Sequence, residues 1–215
     1  MLVGSEQLNV TLQVATVVVP AAVYFLLLGL LNSQRHPQLI SGRTDFIVLN
    51  AAFFPIFCVP ALSYVGASAA ALLGVLAVVL AAVVVLAPAR CGRWVLYNIA
   101  MPEALRAAER ALQAIGEPFT RRGRCLTLDR IDLSLRFGAM PLLRNVSIAA
   151  DGDDARRVAP RLERALVEQL ARIHTTATPM AQTFLLIATA MLIAPLGLFA
   201  DRMPEMVRLL TDLMK

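Results

Sequence analysis

Charge is what this chain lacks over most of its length. No Asp, Glu, Lys or Arg occurs in 7–34, 46–89 or 175–200, and runs of that length are hard to reconcile with an ordinary soluble domain. Lysine is scarce too: 19 of the 20 basic residues are Arg, which with the abundant Ala hints at a GC-rich bacterial genome. Cys58, Cys91 and Cys125 stand far apart with no Cys-x-x-Cys pair, arguing against a disulfide framework or a thiolate zinc site. The two histidines, His36 and His174, have no metal-ligand spacing. A phosphate-cradling Gly-rich loop, a His-Glu-x-x-His and a Gly-x-Ser-x-Gly nucleophile turn are all missing. No catalytic residue, metal or cofactor is therefore assigned, and a non-enzymatic role is expected.

What is present is apolar sequence in blocks. The composition is 58% hydrophobic with mean hydropathy +0.68. A bilayer core about 30 Å thick needs about 20 helical residues, which residues 10–31 supply once. The 44 residues of 46–89 would reach about 66 Å as one helix, twice that thickness, so they must fold back. Ser63, Tyr64 and Gly66 are the turn candidates, giving spans at about 46–65 and 67–88. A fourth crossing falls in 175–200. Residues 1–9 hold Glu6 and no Lys or Arg, and the first apolar run exceeds the 7 to 15 residues of a secretion signal, so it reads as a retained span.

Basic residues collect on the cytoplasmic side of membrane proteins. The amino-terminal tail has none, the connector at 32–45 has Arg35 and Arg43, the turn near Gly66 has none, and Arg90 and Arg93 follow the third span. These placements agree on one orientation in a bacterial inner membrane: both termini outside, the first connector and residues 90–174 in the cytoplasm. Trp94 and Tyr97 have the amphipathic rings that favour the headgroup layer. With Arg35, Arg43, Arg90 and Arg93 they are candidates for binding anionic headgroups or docking the connector on the cytoplasmic domain.

Residues 90–174 carry 15 Arg against 10 acidic residues and read as a small folded unit. Helical spacing runs from Ala104 to Ile115 until Gly116 and Pro118 stop it. Ile131, Leu133, Leu135 and Phe137 alternate with polar residues as in a half-buried strand. Leu126 and Leu128 make a shorter strand before it, and 143–149 a third. Asp151 to Asp154 offer caps for a second helix with a stripe from Val158 to Ile173, whose start Pro160 delays or bends. The expected fold is thus an α-helical integral membrane protein, four transmembrane helices with a small α+β domain (helix, two or three antiparallel strands, helix) inserted between helices 3 and 4. An amphipathic tail over 201–215 is expected to lie on the outer interface or a partner.

No ionisable residue lies inside a span, so a proton or ion relay has no residues to run on. Gln13, Asn50 and Gln182 suit helix-to-helix bonding, and Gly66, Ala70 and Gly74, four apart, suit close helix approach. Pro55 and Pro60 could free backbone carbonyls in the second span to line a pathway, although a simple kink re-satisfied by neighbouring helices is the commoner outcome. The cluster Arg121, Arg122 and Arg124, and the arginines from Arg156 to Arg164, fit an anionic leaflet better than nucleic acid, because no aromatic stacking residues interleave them. The expected role is a subunit or scaffold with membrane lipids and other membrane subunits, or copies of itself, as partners. The alternative is an oligomeric transporter or channel component.

Overall fold

The structure is a computed structural model, and it describes residues 2–64, 69–87 and 92–213. In chain order the elements are α1 (Leu2–Ser33), β1 (Gln38–Ser41), α2 (Gly42–Tyr64), α3 (Ala69–Leu86), β2 (Arg93–Tyr97), α4 (Met101–Ala114), β3 (Phe119–Arg122), β4 (Cys125–Leu128), β5 (Ser134–Met140), β6 (Asn145–Asp151), α5 (Ala155–Ala171) and α6 (Pro179–Leu213). The chain divides into two compact units, one of Met1–Leu26, Leu49–Val83 and Phe184–Lys215, the other of Leu27–Val48 and Val84–Thr183.

The first unit is helical. Three helices among the described residues are long and apolar enough to cross a membrane, over Gln13–Ser33, Gly42–Pro60 and Pro179–Gly197. A fourth apolar helical stretch, Gly74–Leu86, is shorter, and the turn expected at Gly66 lies outside the described residues. α2 is one continuous helix with Pro55 and Pro60 inside it. The last helix, α6, extends for 35 residues, through the final apolar run and most of the amphipathic tail. An aromatic node ties three helices together: Phe53 of α2 meets Tyr24 and Phe25 of α1 at ring-centroid distances of 5.3 and 6.0 Å, and Phe25 stacks on Phe184 of α6 at 6.0 Å.

The second unit is built on a six-stranded antiparallel sheet in the order β1-β2-β6-β5-β4-β3, against the two or three strands expected. Directly opposed residues share a face, so the register sorts the side chains. Trp94 opposite Ile148, Leu96 opposite Val146, Phe137 opposite Ile148 and Leu126 opposite Leu135 make one apolar face. The face is covered by α4 and α5, whose Leu105, Leu112, Leu162, Leu166 and Leu170 complete a core sealed from solvent. The other face is open over most of its width.

Two strand boundaries moved from their expected places. The alternation from Ile131 to Phe137 begins before the strand does, because Leu133 N–H bonds back to the Ile131 carbonyl at 2.8 Å in a tight turn and β5 starts only at Ser134. The third expected strand begins at Asn145, after a 3-10 turn at Pro141–Leu143 whose exit residue, Arg144, takes φ 47°. α5 starts at Ala155 and accommodates Pro160 within its length.

Candidate functional site

The residues between α1 and α2 do not form a free connector. Gln38 to Ser41 pair antiparallel with Tyr97 to Trp94, so the connector supplies the edge strand of a sheet whose other five strands follow α3 in the chain. Four residues are too few to show a period. β2 was missed for a different reason: Val95 and Tyr97, on the face opposite Trp94 and Leu96, are partly or fully buried, so the strand shows no polar alternation.

Three short segments are knotted beside this edge. Thr175 N–H donates to the Arg35 carbonyl at 2.8 Å, and the Thr175 hydroxyl donates to the Gln34 carbonyl at 3.2 Å. Asn98 Nδ2 donates to the same Gln34 carbonyl and to the Thr175 hydroxyl, each at 2.9 Å. Asn98 has φ 58°, a left-handed conformation that Asn tolerates better than most residues, and its amide bridges the end of β2 to both flanking segments. His36 Nδ1–H donates to the Ile173 carbonyl at 3.0 Å, and its ring meets that of His174 edge-on at 4.8 Å. Thr178 then caps α6, its hydroxyl accepting from Ala181 N–H at 3.1 Å.

A second set of contacts fixes the start of α2 to the open face of the sheet. The Tyr97 hydroxyl donates to the Asp45 carboxylate. Gly42 sits so close to β2 that a Cβ there would approach the Arg93 Cβ to 3.1 Å. The Arg43 guanidinium donates to the Val84 carbonyl at 3.0 Å, satisfying one of the orphan carbonyls at the end of α3.

The residues singled out in the sequence thus have different fates. Arg43 holds a helix end, and Arg35 is exposed but joins the knot through its backbone. Trp94 and Tyr97 are both buried, at 1% and 3% exposure. Trp94 faces the helix layer from an inner strand, with Nε1 donating to the Glu163 carboxylate on α5 at 3.0 Å. Arg93 is exposed on the open face, and Arg90 lies outside the described residues. Of the helix-packing candidates, Gln13 and Asn50 are half-buried and Gln182 is exposed. A Cβ at Gly74 would meet nothing within 4 Å among the described residues, and Gly66 and the side chain of Ala70 lie outside what is described.

The knot holds backbone carbonyls and amides in place and exposes no nucleophile poised against a base. Among the described residues no group of three or more His, Cys, Asp or Glu side chains gathers as a metal site would require. What the arrangement does is mechanical: it fixes both ends of the first connector to the strand and the linker that lead back to helices. No known protein family, no characterised protein and no solved structure matches the chain.

Proposed function

We propose that the chain is a four-span protein of a bacterial inner membrane, with both termini outside and residues 90–174 in the cytoplasm, acting as a non-enzymatic subunit or scaffold that couples a helical membrane base to a cytoplasmic interaction domain. The observation that carries this reading is the mixed parentage of the sheet, in which β1 comes from the connector between two candidate spans. Within the sheet unit, an edge strand, a buried Asn and a capped linker fix the segments that lead to the helices, and segments held in this way transmit displacement better than a flexible tether. The large exposed apolar side chains of the helical unit, such as Phe57 at 73% and Leu186 at 71%, suit contact with lipid or with partner helices. The rival reading is an oligomeric transporter or channel with Asn50 and the second span, which carries Pro55 and Pro60, lining a pathway.

Two measurements test the proposal. Asp153→Cys, in a chain whose native cysteines are replaced, should resist an impermeant thiol reagent in intact cells and react after lysis. Reaction in intact cells overturns the orientation. Purification in mild detergent should retain other polypeptides and give no ion flux in liposomes, whereas a homo-oligomer whose flux is lost on Asn50→Leu overturns the scaffold reading.

A further inference from the structure

The register places three arginines in one line across the open face of the sheet. Arg93 of β2 opposes Ala149 of β6, Ala149 opposes Arg136 of β5, Arg136 opposes Cys125 of β4, and Cys125 opposes Arg122 of β3. Opposed residues project to the same side, so basic and small side chains alternate along a row that crosses five strands. With strands about 4.8 Å apart, successive guanidinium stems stand about 10 Å from one another. The neighbouring row is Val95, Ser147 and Gly138, which leaves the ground between the arginines low and free of bulky side chains. Arg93, Arg122 and Arg136 are all exposed.

Charge on this face is not all of one sign. Asp151 holds Arg136 at 2.6 Å in an exposed pair, and Asp45 is engaged by Tyr97. Arg93 and Arg122 make no ion pair among the described residues. Arg121, one residue on, projects to the opposite face and is paired with Glu109 at 2.8 Å. The arginines Arg156, Arg161 and Arg164 ride on α5, in the layer covering that opposite face.

The open face is also the side on which α2 begins. Tyr97, projecting from it, takes hold of Asp45 in the first turn of α2, and Gly42 rests against the Arg93 stem. A candidate membrane span therefore starts from the same face that carries the row. We propose that this face is a seat for the anionic phospholipid headgroups of the inner leaflet, with Arg93 and Arg122 as the main phosphate contacts and Arg136 released to join them from its exchangeable pair with Asp151. The inference rests on the membrane reading above. Guanidinium groups match phosphate geometry by paired N–H donors, and basic residues at an anionic leaflet each add roughly 1 kcal/mol of attraction.

The test uses the full chain in liposomes. An environment-sensitive fluorophore on Ser147→Cys reports the open face, and one on Glu168→Cys, exposed on α5, reports the covering layer, both with native cysteines replaced. In vesicles of neutral phosphatidylcholine with added phosphatidylglycerol, headgroup-labelled quencher lipid should quench the Ser147 position strongly and the Glu168 position little. The phosphatidylglycerol-dependent part should weaken about fivefold for each guanidinium removed by Arg93→Gln or Arg122→Gln, less for Arg136→Gln, and should fade as salt is raised. Arg161→Gln with Arg164→Gln should leave it unchanged. Equal quenching at the two positions, indifference to the three row variants, or loss with the α5 variants overturns the proposal. So does displacement of the signal by a short oligonucleotide at equal ionic strength, which would reassign the face to nucleic acid. Flotation of the same protein with vesicles after alkaline washing separates the failures: protein that fails to float removes the membrane reading itself, and protein that floats without quenching removes only the headgroup seat.

Discussion

The two units handle apolar side chains in opposite ways. In the sheet unit the large residues are inside: Leu112, Leu126, Leu135, Leu162 and Leu166 are fully buried, while the surface carries the arginines. In the helical unit the described buried positions are mostly small, Ala21, Ala22, Ala52 and Ala188 among them, while Phe57, Val78 and Leu186 point outward. Water drives the first arrangement, because each buried Leu gains about 1.5–3 kcal/mol by leaving it. The second is what packing looks like where the surroundings are as apolar as the side chains and small residues let backbones approach. One chain thus carries two solvents' worth of folding rules, and the contrast predicts where substitutions bite.

The largest effect belongs to Trp94→Ala, which empties the centre of the sheet core and strips Glu163 of its donor. A loss of roughly 3–5 kcal/mol is expected, read in detergent as a lowered denaturant midpoint of the strand signal with the helical signal of the spans retained. If both signals fall together, the two units are one cooperative body and the comparison is broken.

Next comes Asn98. Asn98→Gly keeps the left-handed backbone but drops two hydrogen bonds, costing about 1–3 kcal/mol. Asn98→Ala should cost roughly 1–2 kcal/mol more, because a Cβ is disfavoured at positive φ. Equal losses in the two variants would show that the amide alone matters.

Gly42→Val forces a side chain against Arg93 and should cost about 1–3 kcal/mol through overpacking. Amide hydrogen exchange should localise the damage to β1 and β2, leaving β3 to β6 protected. Uniform loss of protection would mean that the edge strand is integral to the core.

Smallest of all is Gly74→Leu, expected to change stability by less than about 0.5 kcal/mol, since a Cβ there meets nothing among the described residues. A clear fall in the mass of the detergent-solubilised assembly would instead place another polypeptide against that face of α3, sharpening the contrast between lipid-facing and partner-facing surface.

The sequence was most readable where one physical rule acted alone. Absence of charge marks the apolar helices, and the period of 3.6 marks α4 and α5, because each of those faces has a single environment. The sheet was half legible. β5 announced itself by alternation because one of its faces is wet, whereas β2 hid because the start of α2 and the strand β1 dry its second face. β3 was read only as a basic cluster, although Gly123, at φ 61° between Arg122 and Cys125, marks the tight hairpin that joins it to β4. The knot was out of reach for a plainer reason: Gln34, Asn98 and Thr175 are far apart in the chain, and no local pattern says that they meet. The arginine row depends on register across five strands, which no single segment encodes.

The parentage of β1 has a consequence for how the protein is made. Residues 38–41 leave the ribosome before α2 and α3 exist, and must wait through the synthesis of two apolar helices for the strand they pair with. Until β2 emerges, those four residues are an edge without a partner, and the sheet that follows lacks its border. Completion of the sheet is therefore timed by synthesis of α2 and α3, and a chain delayed within those helices should also be one whose sheet edge stays open to proteases.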